Sequence, residues 1–164
     1  MMQEVAFAAL VQGVYVVTTR VGDKVNGMTA AWVSQVSLNP LLVMVSIAPS
    51  RYSHTLIKES GIFTLNVLTT DQTELAKRFG FKSGRKIDKF AGLEWFPAPS
   101  GAPVLPQAYA YLDLMLAHTY TAGDHTLFVG EVTAAQILHP QNHPHLYKKK
   151  DYIIKLTRTE ARLF

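Results

Sequence analysis

The side chains with chemical reach gather in four places along the chain. His125 follows Gly123 and Asp124 in the stretch TAGDHT. An unperturbed imidazole changes charge between pH 5 and 8, so His125 could orient a polar ligand group or supply a proton. Just after Pro49 lies a cluster of small hydroxyls, Ser50, Ser53 and Thr55, with His54 among them. Hydroxyls and backbone N–H groups at the start of a helix make an anion site. A plain N-cap uses the same residues, and both roles can hold at once. Lys82 to Lys89 is basic, with Arg85 in its middle. There Arg85 could pair with two phosphate oxygens and Lys82 or Lys89 could act as a point charge; a solvated basic loop is the plain alternative. Finally, His139, His143 and His145 lie close together, but among prolines and without a neighbouring carboxylate, so no metal site is assigned to them.

Other chemistries are excluded or unsupported. The chain has no cysteine, which removes disulfides, thiolate metal ligands and cysteine nucleophiles. No Walker loop or Rossmann glycine motif is present, so a nucleotide would have to be held another way. The carboxylates are scattered, and no Ser-His-Asp arrangement follows from spacing. The 164 residues, 48% hydrophobic and 17% charged, predict one domain over 1–164 with a substantial core. A net charge of +4 favours anionic small molecules. The only dense basic run is Lys148-Lys149-Lys150, so nucleic acid is not expected as a partner. The apolar runs are too short to span a bilayer and the N-terminus lacks a basic start. A cytoplasmic protein without a membrane is the expectation.

These side chains need elements to position them. Residues 3–10 read as a short helix and Val14–Thr19 as a strand, turning at Gly22-Asp23-Lys24. Met28–Ser37 reads as one strand of imperfect alternation, with small residues on both faces that let a flat ligand approach. After Asn39-Pro40, Leu41–Ala48 is an apolar strand of a sheet centre. Arg51–Ser60 is predicted helical, with Gly61 as C-cap, and Ile62–Leu68 is a strand. Asp71–Phe79 is a second helix, with Asp71 and Glu74 as a capping box and Gly80 as its stop. Residues 91–106 are a long Pro- and Gly-rich connection. Tyr109–Thr119, His125–Leu138 and Leu146–Leu156 complete the strands. Many strands with few helices, and no regular helix–strand alternation, predict a mainly β protein with an antiparallel barrel.

In order, the segments NGMTAAWVSQVSLNP, VSIAPSRYSHTLI, FTLNVL, LAKRFG and GDHTLFVGEV resemble the flavin reductase-like family. The resemblance runs from about Gly13 to Tyr152 and lies nearest the branch of flavoredoxins, ferric reductases and the reductase tails of flavodiiron proteins. It implies an antiparallel Greek-key split β-barrel of the FMN-binding type, with short helices, assembled as a homodimer. It implies FMN, with FAD as the alternative, and NADH or NADPH as electron donor. Electrons would pass to free flavin, ferric iron or a redox protein partner. An FMN-binding electron carrier reduced by another protein is the alternative reading.

The resemblance also implies site residues. Asn26, Met28, Thr29, Ala30, Ala31, Val33 and Ser34 would lie along the isoalloxazine ring. Ser46, Ile47, Ala48, Ser53, His54 and Thr55 would surround the ribityl chain and phosphate. Phe79, Gly80, Arg85 and Lys89 would form the phosphate-side loop. His125 would stand beside the flavin and the nicotinamide, as the catalytic residue.

Overall fold

The computed structural model describes residues 6, 7 and 9–148. Its strands are β1 (Tyr15–Val21), β2 (Lys24–Ala30), β3 (Val33–Leu38), β4 (Leu41–Ile47), β5 (Ile62–Val67), β6 (Phe96–Pro97), β7 (Pro103–Val104), β8 (Ala110–Ala122) and β9 (His125–Ile137). Helix α1 (Tyr52–Ser60) lies between β4 and β5, and α2 (Thr73–Phe81) follows β5. Seven strands form one sheet in the order β2-β1-β5-β8-β9-β4-β3 with every pair antiparallel, while β6 and β7 make a small separate ribbon.

The single strand expected over Met28–Ser37 is two strands. Val33 N–H bonds back to Ala31 C=O at 3.0 Å, a tight turn centred on Trp32. That turn carries the chain from one edge of the sheet to the other. Ala30 and Val33 are three Cα–Cα steps of 3.80 Å apart, at most about 11 Å. The sheet must therefore curl until its edges nearly meet, and the barrel stays split along β2 and β3. Ser46 N–H, bonding to Trp32 C=O at 3.0 Å, fastens the linker to β4.

Two cores share the sheet. Val17, Val43, Val45, Ile47, Phe63, Leu65, Leu114 and Phe128 fill the barrel, with Ile57 of α1 among them. Val14, Val16, Leu68 and Leu105 form a second cluster on the other face with Ala76 and Phe79 of α2 and Phe90 beyond it. Val16 and Val17 sit in different cores because neighbouring strand residues face opposite ways. This accounts for the unbroken apolar run in β1.

Hairpins β1–β2 and β8–β9 turn through Gly22-Asp23 and Gly123-Asp124, with Gly22 at φ +57 and Gly123 at φ +60. A positive φ at the first turn residue alone matches the type II′ geometry favoured by strand twist. Gly61 ends α1 in the left-handed region as predicted. Helix α2 departs from its expected bounds: Gln72 is its N-cap, Gly80 lies inside it, and Lys82 ends it. Asp71 does not cap it, because its carboxylate accepts a hydrogen bond from Thr69 Oγ1 instead. Of the expected helix at 3–10, Ala6 and Phe7 are helical. Of the expected strand at Leu146–Leu156, Leu146 bridges Gly13; residues 3–5, 8 and 149–156 lie outside the described residues.

Gly130 of β9 marks the tightest point of the barrel interior. A Cβ there would lie 2.7 Å from Phe63 Cζ and 2.9 Å from Leu114 Cβ. Both neighbours are fully buried and cannot withdraw. Gly130→Ala should lower stability by about 1–3 kcal/mol through overpacking, read as an earlier midpoint in urea unfolding; an unchanged midpoint would show that the core yields there.

Candidate functional site

A groove runs along the split, on the side where β2 has no strand partner. It consists of two adjoining cavities, of about 540 and 180 Å³, that share Met28, Thr29, Ser50 and Arg51. The larger is of the size that takes small ligands. Its walls are Met28 to Trp32 on one side, Ser46 and Ala48 to Arg51 on another, and Asp124 with His125 from the β8–β9 turn. The smaller continues past Asn26 to the N-terminus of α1, the C-terminal end of α2 and the Lys82–Gly84 loop, with Lys89 in its wall.

The small cavity has the electrostatics of an anion site. Arg51 is the N-cap residue of α1, yet no side chain caps the helix and its first turn holds no acidic residue. The helix therefore presents N–H groups and the positive end of its dipole to the cavity. Lys89 is buried, and its Nζ donates to Gly27 C=O and Phe79 C=O, both at 2.8 Å. An ammonium carries three donors, so these two bonds leave one. Burial, and secondarily the Arg51 charge, push the Lys89 pKa down to about 8. Among the described residues no carboxylate forms an ion pair with it. Gly84 packs so closely over Asn26 that any Cβ would collide with Asn26 Oδ1. Asn26 is itself held by donating from Nδ2 to Ser53 Oγ at 2.9 Å. Two cations, Lys24 Nζ and the Arg85 guanidinium, lie 4.7 Å from the Tyr52 ring centroid at the rim.

The large cavity is different in character. Ala30 and Ala31 line it, and their small side chains keep its wall close to the linker backbone. Trp32 and His125 face each other with ring centroids 4.9 Å apart at 51°. His125 Nδ1 lies 2.7 Å from Asp124 Oδ1.

Of the residues expected to hold a cofactor, Asn26, Met28, Thr29, Ala30, Ala31, Ser46, Ala48, Ser53, Phe79, Gly80 and Lys89 line the groove, as does His125. The walls do not include Val33, Ser34, Ile47, His54, Thr55 or Arg85. Val33 packs against the barrel core and Ile47 is inside it. Ser34 is exposed, with its hydroxyl donating to Gln35 C=O at 3.1 Å. Thr55 is on the exposed side of α1. Arg85 lies at the rim, donating from Nη1 to Ser50 C=O at 3.1 Å. His54 is turned inward: its Nε2 pairs with Thr126 Oγ1 at 2.9 Å and its ring meets Phe128 edge-on at 5.0 Å. Burial, followed by the Lys58 charge, lowers the His54 pKa. Sequence reasoning does not single out Trp32, Arg51 or Tyr52 as site residues. The signals were present, since Trp32 sits where the alternation falters and Arg51-Tyr52 opens the α1 helix.

These features fit a flavin nucleotide: a buried cation and uncapped helix for the phosphate, and a small-residue strand edge for a flat ring. A protein-family model described as a flavin reductase like domain matches residues 7–153. The high molecular weight rubredoxin of Moorella thermoacetica is 38% identical over 135 residues, 81% of this chain and 59% of that protein. The ferric-chelate reductase (NAD(P)H) of Archaeoglobus fulgidus is 33% identical over 135 residues, 81% of this chain and 80% of that protein. Among solved structures, the NADH:FAD oxidoreductase SgcE6 of Streptomyces globisporus superposes with a TM-score of 0.81 at 32% identity, covering 88% of this chain and 86% of that one. The chain spans 59% of the rubredoxin relative and 24–25% of the length of two diflavin flavoproteins of Nostoc sp. that it matches. With a family model matched over nearly its whole length, on an antiparallel sheet split at the groove, the chain belongs to the flavin reductase-like domain family.

Proposed function

We propose that the protein is an NAD(P)H-dependent flavin reductase that holds FMN in the groove. The observation that carries this reading is the asymmetry of the groove, cationic at one end and flanked by Trp32 and His125 at the other. A bound flavin would supply the redox chemistry between the reduced nicotinamide and an acceptor such as free flavin, ferric iron or a redox protein. The chain's own residues bind and orient. Lys89, the α1 N-terminus and the Ser83-Gly84 backbone hold the phosphate. The Ala30–Ala31 segment keeps backbone groups within reach of the ring edge. His125 would orient the nicotinamide, and alignment of the two reactants would be the main catalytic contribution.

A homodimer is part of the same proposal. Edge strand β3 leaves one row of backbone groups unpaired, and such an edge invites another chain. It also exposes Val36 and Leu38, at 52% and 84%, beside Leu41 at 42%. Leu38→Asp should move the protein from a dimeric to a monomeric elution volume in size-exclusion chromatography. An unchanged volume would place the interface elsewhere.

Anaerobic mixing of the flavin-loaded protein with NADH and then NADPH should bleach the flavin absorption, the faster nucleotide naming the donor. Flavin binding without bleaching by either would replace the reductase with an electron carrier. His125→Ala should slow bleaching on the order of tenfold, the ~1.4 kcal/mol of one neutral hydrogen bond, with a smaller change in flavin affinity. Unchanged kinetics would remove His125 from the mechanism.

Lys89 gives a pH dependence. Its pKa of about 8 lies below the ordinary 10.5, so its buried charge costs stability below pH 8. That cost lifts as pH rises from about 8 to 10.5, where the unfolded chain still holds the proton. A phosphate dianion favours the protonated form. Above pH 8 its binding must recover a proton, and FMN affinity should fall by up to about tenfold per pH unit. Riboflavin, which lacks the phosphate, should show no such fall between pH 7 and 9.5. Parallel profiles for the two ligands would disconnect Lys89 from the phosphate.

A further inference from the structure

The β8–β9 turn holds an acid–imidazole pair whose polarity is settled by chemistry. Asp124 Oδ1 and His125 Nδ1 are 2.7 Å apart. An ionised carboxylate only accepts hydrogen bonds. Nδ1 must therefore carry the proton, and in the neutral ring Nε2 is left with a lone pair. The turn enforces the pairing. Gly123 at φ +60 closes a two-residue loop between Ala122 and His125, which keeps the Asp124 carboxylate beside the imidazole. The Trp32 ring, 4.9 Å from the imidazole, also restricts its rotation. Asp124 is the exposed member and His125 the largely covered one, with side-chain exposures of 86% and 13%.

We propose that Asp124 is a positioning and specificity-determining residue: by fixing His125, a residue of the cavity wall, with Nδ1 protonated, it leaves Nε2 as a hydrogen-bond acceptor that selects a ligand bearing a primary carboxamide N–H. This rests on the reading that a nicotinamide nucleotide enters the large cavity. The carboxamide of nicotinamide offers that N–H. The corresponding carboxylate of a nicotinic acid dinucleotide has no donor and meets the lone pair with a negative oxygen. In the other tautomer Nε2–H would be a donor, and the preference between amide and acid would weaken or reverse. Among the described residues, the charged side chains lining this cavity are Arg51 and Asp124. Arg51 would attract a carboxylate, so rejection of the acid must come from the His125 side.

The test combines spectroscopy with a pair of substrates. In the cofactor-free protein at pH 8, long-range 15N–1H correlations of His125 should report the Nδ1–H tautomer. Asp124→Ala should shift His125 toward Nε2–H, while Asp124→Asn, whose amide oxygen still accepts from Nδ1–H, should keep the original pattern. With the flavin-loaded protein, KM for reduced nicotinamide dinucleotide should rise about three- to tenfold in Asp124→Ala, with a smaller change in kcat. The preference for that nucleotide over reduced nicotinic acid dinucleotide should fall by a similar factor. Asp124→Asn should restore both. An Nε2–H signal in the wild-type protein, or the wild-type tautomer retained in Asp124→Ala, would overturn the inference. So would an unchanged amide-over-acid preference in Asp124→Ala. Should Asp124→Ala fail to fold, loss of the preference in Asp124→Asn despite a retained tautomer would overturn it equally. A wild-type protein that neither nucleotide reduces would instead overturn the reductase reading, leaving the tautomer result to stand or fall separately.

Discussion

The two-residue link Ala31-Trp32 is the constraint on which the molecule depends. It joins the opposite edges of a seven-stranded sheet, and two residues span so little that the sheet has no choice but to curl. The edges stay unpaired all the same, with β2 at one end of the strand order and β3 at the other. A gap lined by backbone and small side chains is what remains. An exposed edge is ordinarily a hazard, since its unpaired groups recruit other strands. Here the open side of β2 is flanked by α1 and α2 and becomes the wall of a groove.

Polar groups buried near the sheet are used to fasten its long connections. Asp113 on β8 is fully buried; it accepts from Thr64 Oγ1 at 3.1 Å, from Ser100 Oγ at 2.6 Å and from Ser100 N–H at 2.9 Å. Asn66 on β5 accepts from Leu105 N–H at 2.7 Å and donates to Val16 C=O at 3.1 Å. Together they pin both ends of the irregular stretch between β6 and β8. Lys89 does the same for the groove, tying β2 to α2 through Gly27 and Phe79. It is the cation among them, and no described carboxylate forms an ion pair with it. A group of this kind is costly alone and favourable once an anion arrives, which ties the integrity of the small cavity to its occupant.

Legibility in the sequence followed the range of the responsible interactions. Gly61 as the end of α1, the Gly22 and Gly123 turns, and the apolar run of β4 depend on neighbours a few residues away, and each could be read directly. The break at Trp32 could not, because Met28–Ser37 carries enough small and branched residues to pass for one strand. Only the bond from Ser46 and the pull of the opposite sheet edge turn it. His54 shows the same limit from the other side. Its place beside Ser53 and Thr55 suggested the anion cluster, yet on a helix a one-residue step rotates a side chain by about 100°. Ser53 meets Asn26 at the groove, and His54 meets Thr126 and Phe128 in the interior.

By itself, then, the sequence determined the fold class, the family and the segments that could form a site, since hydrophobic period, turn residues and motif order are all written in local spacing. The tertiary structure alone decided which residues share a cavity. Asn26, Ser53, Gly84 and Lys89 are separated by as many as 63 positions and meet only because the split brings β2, α1 and the loop after α2 to one place. It also decided the chemical state of what meets there. Burial depresses the Lys89 pKa. That effect arises from solvent exclusion, which residue order does not encode.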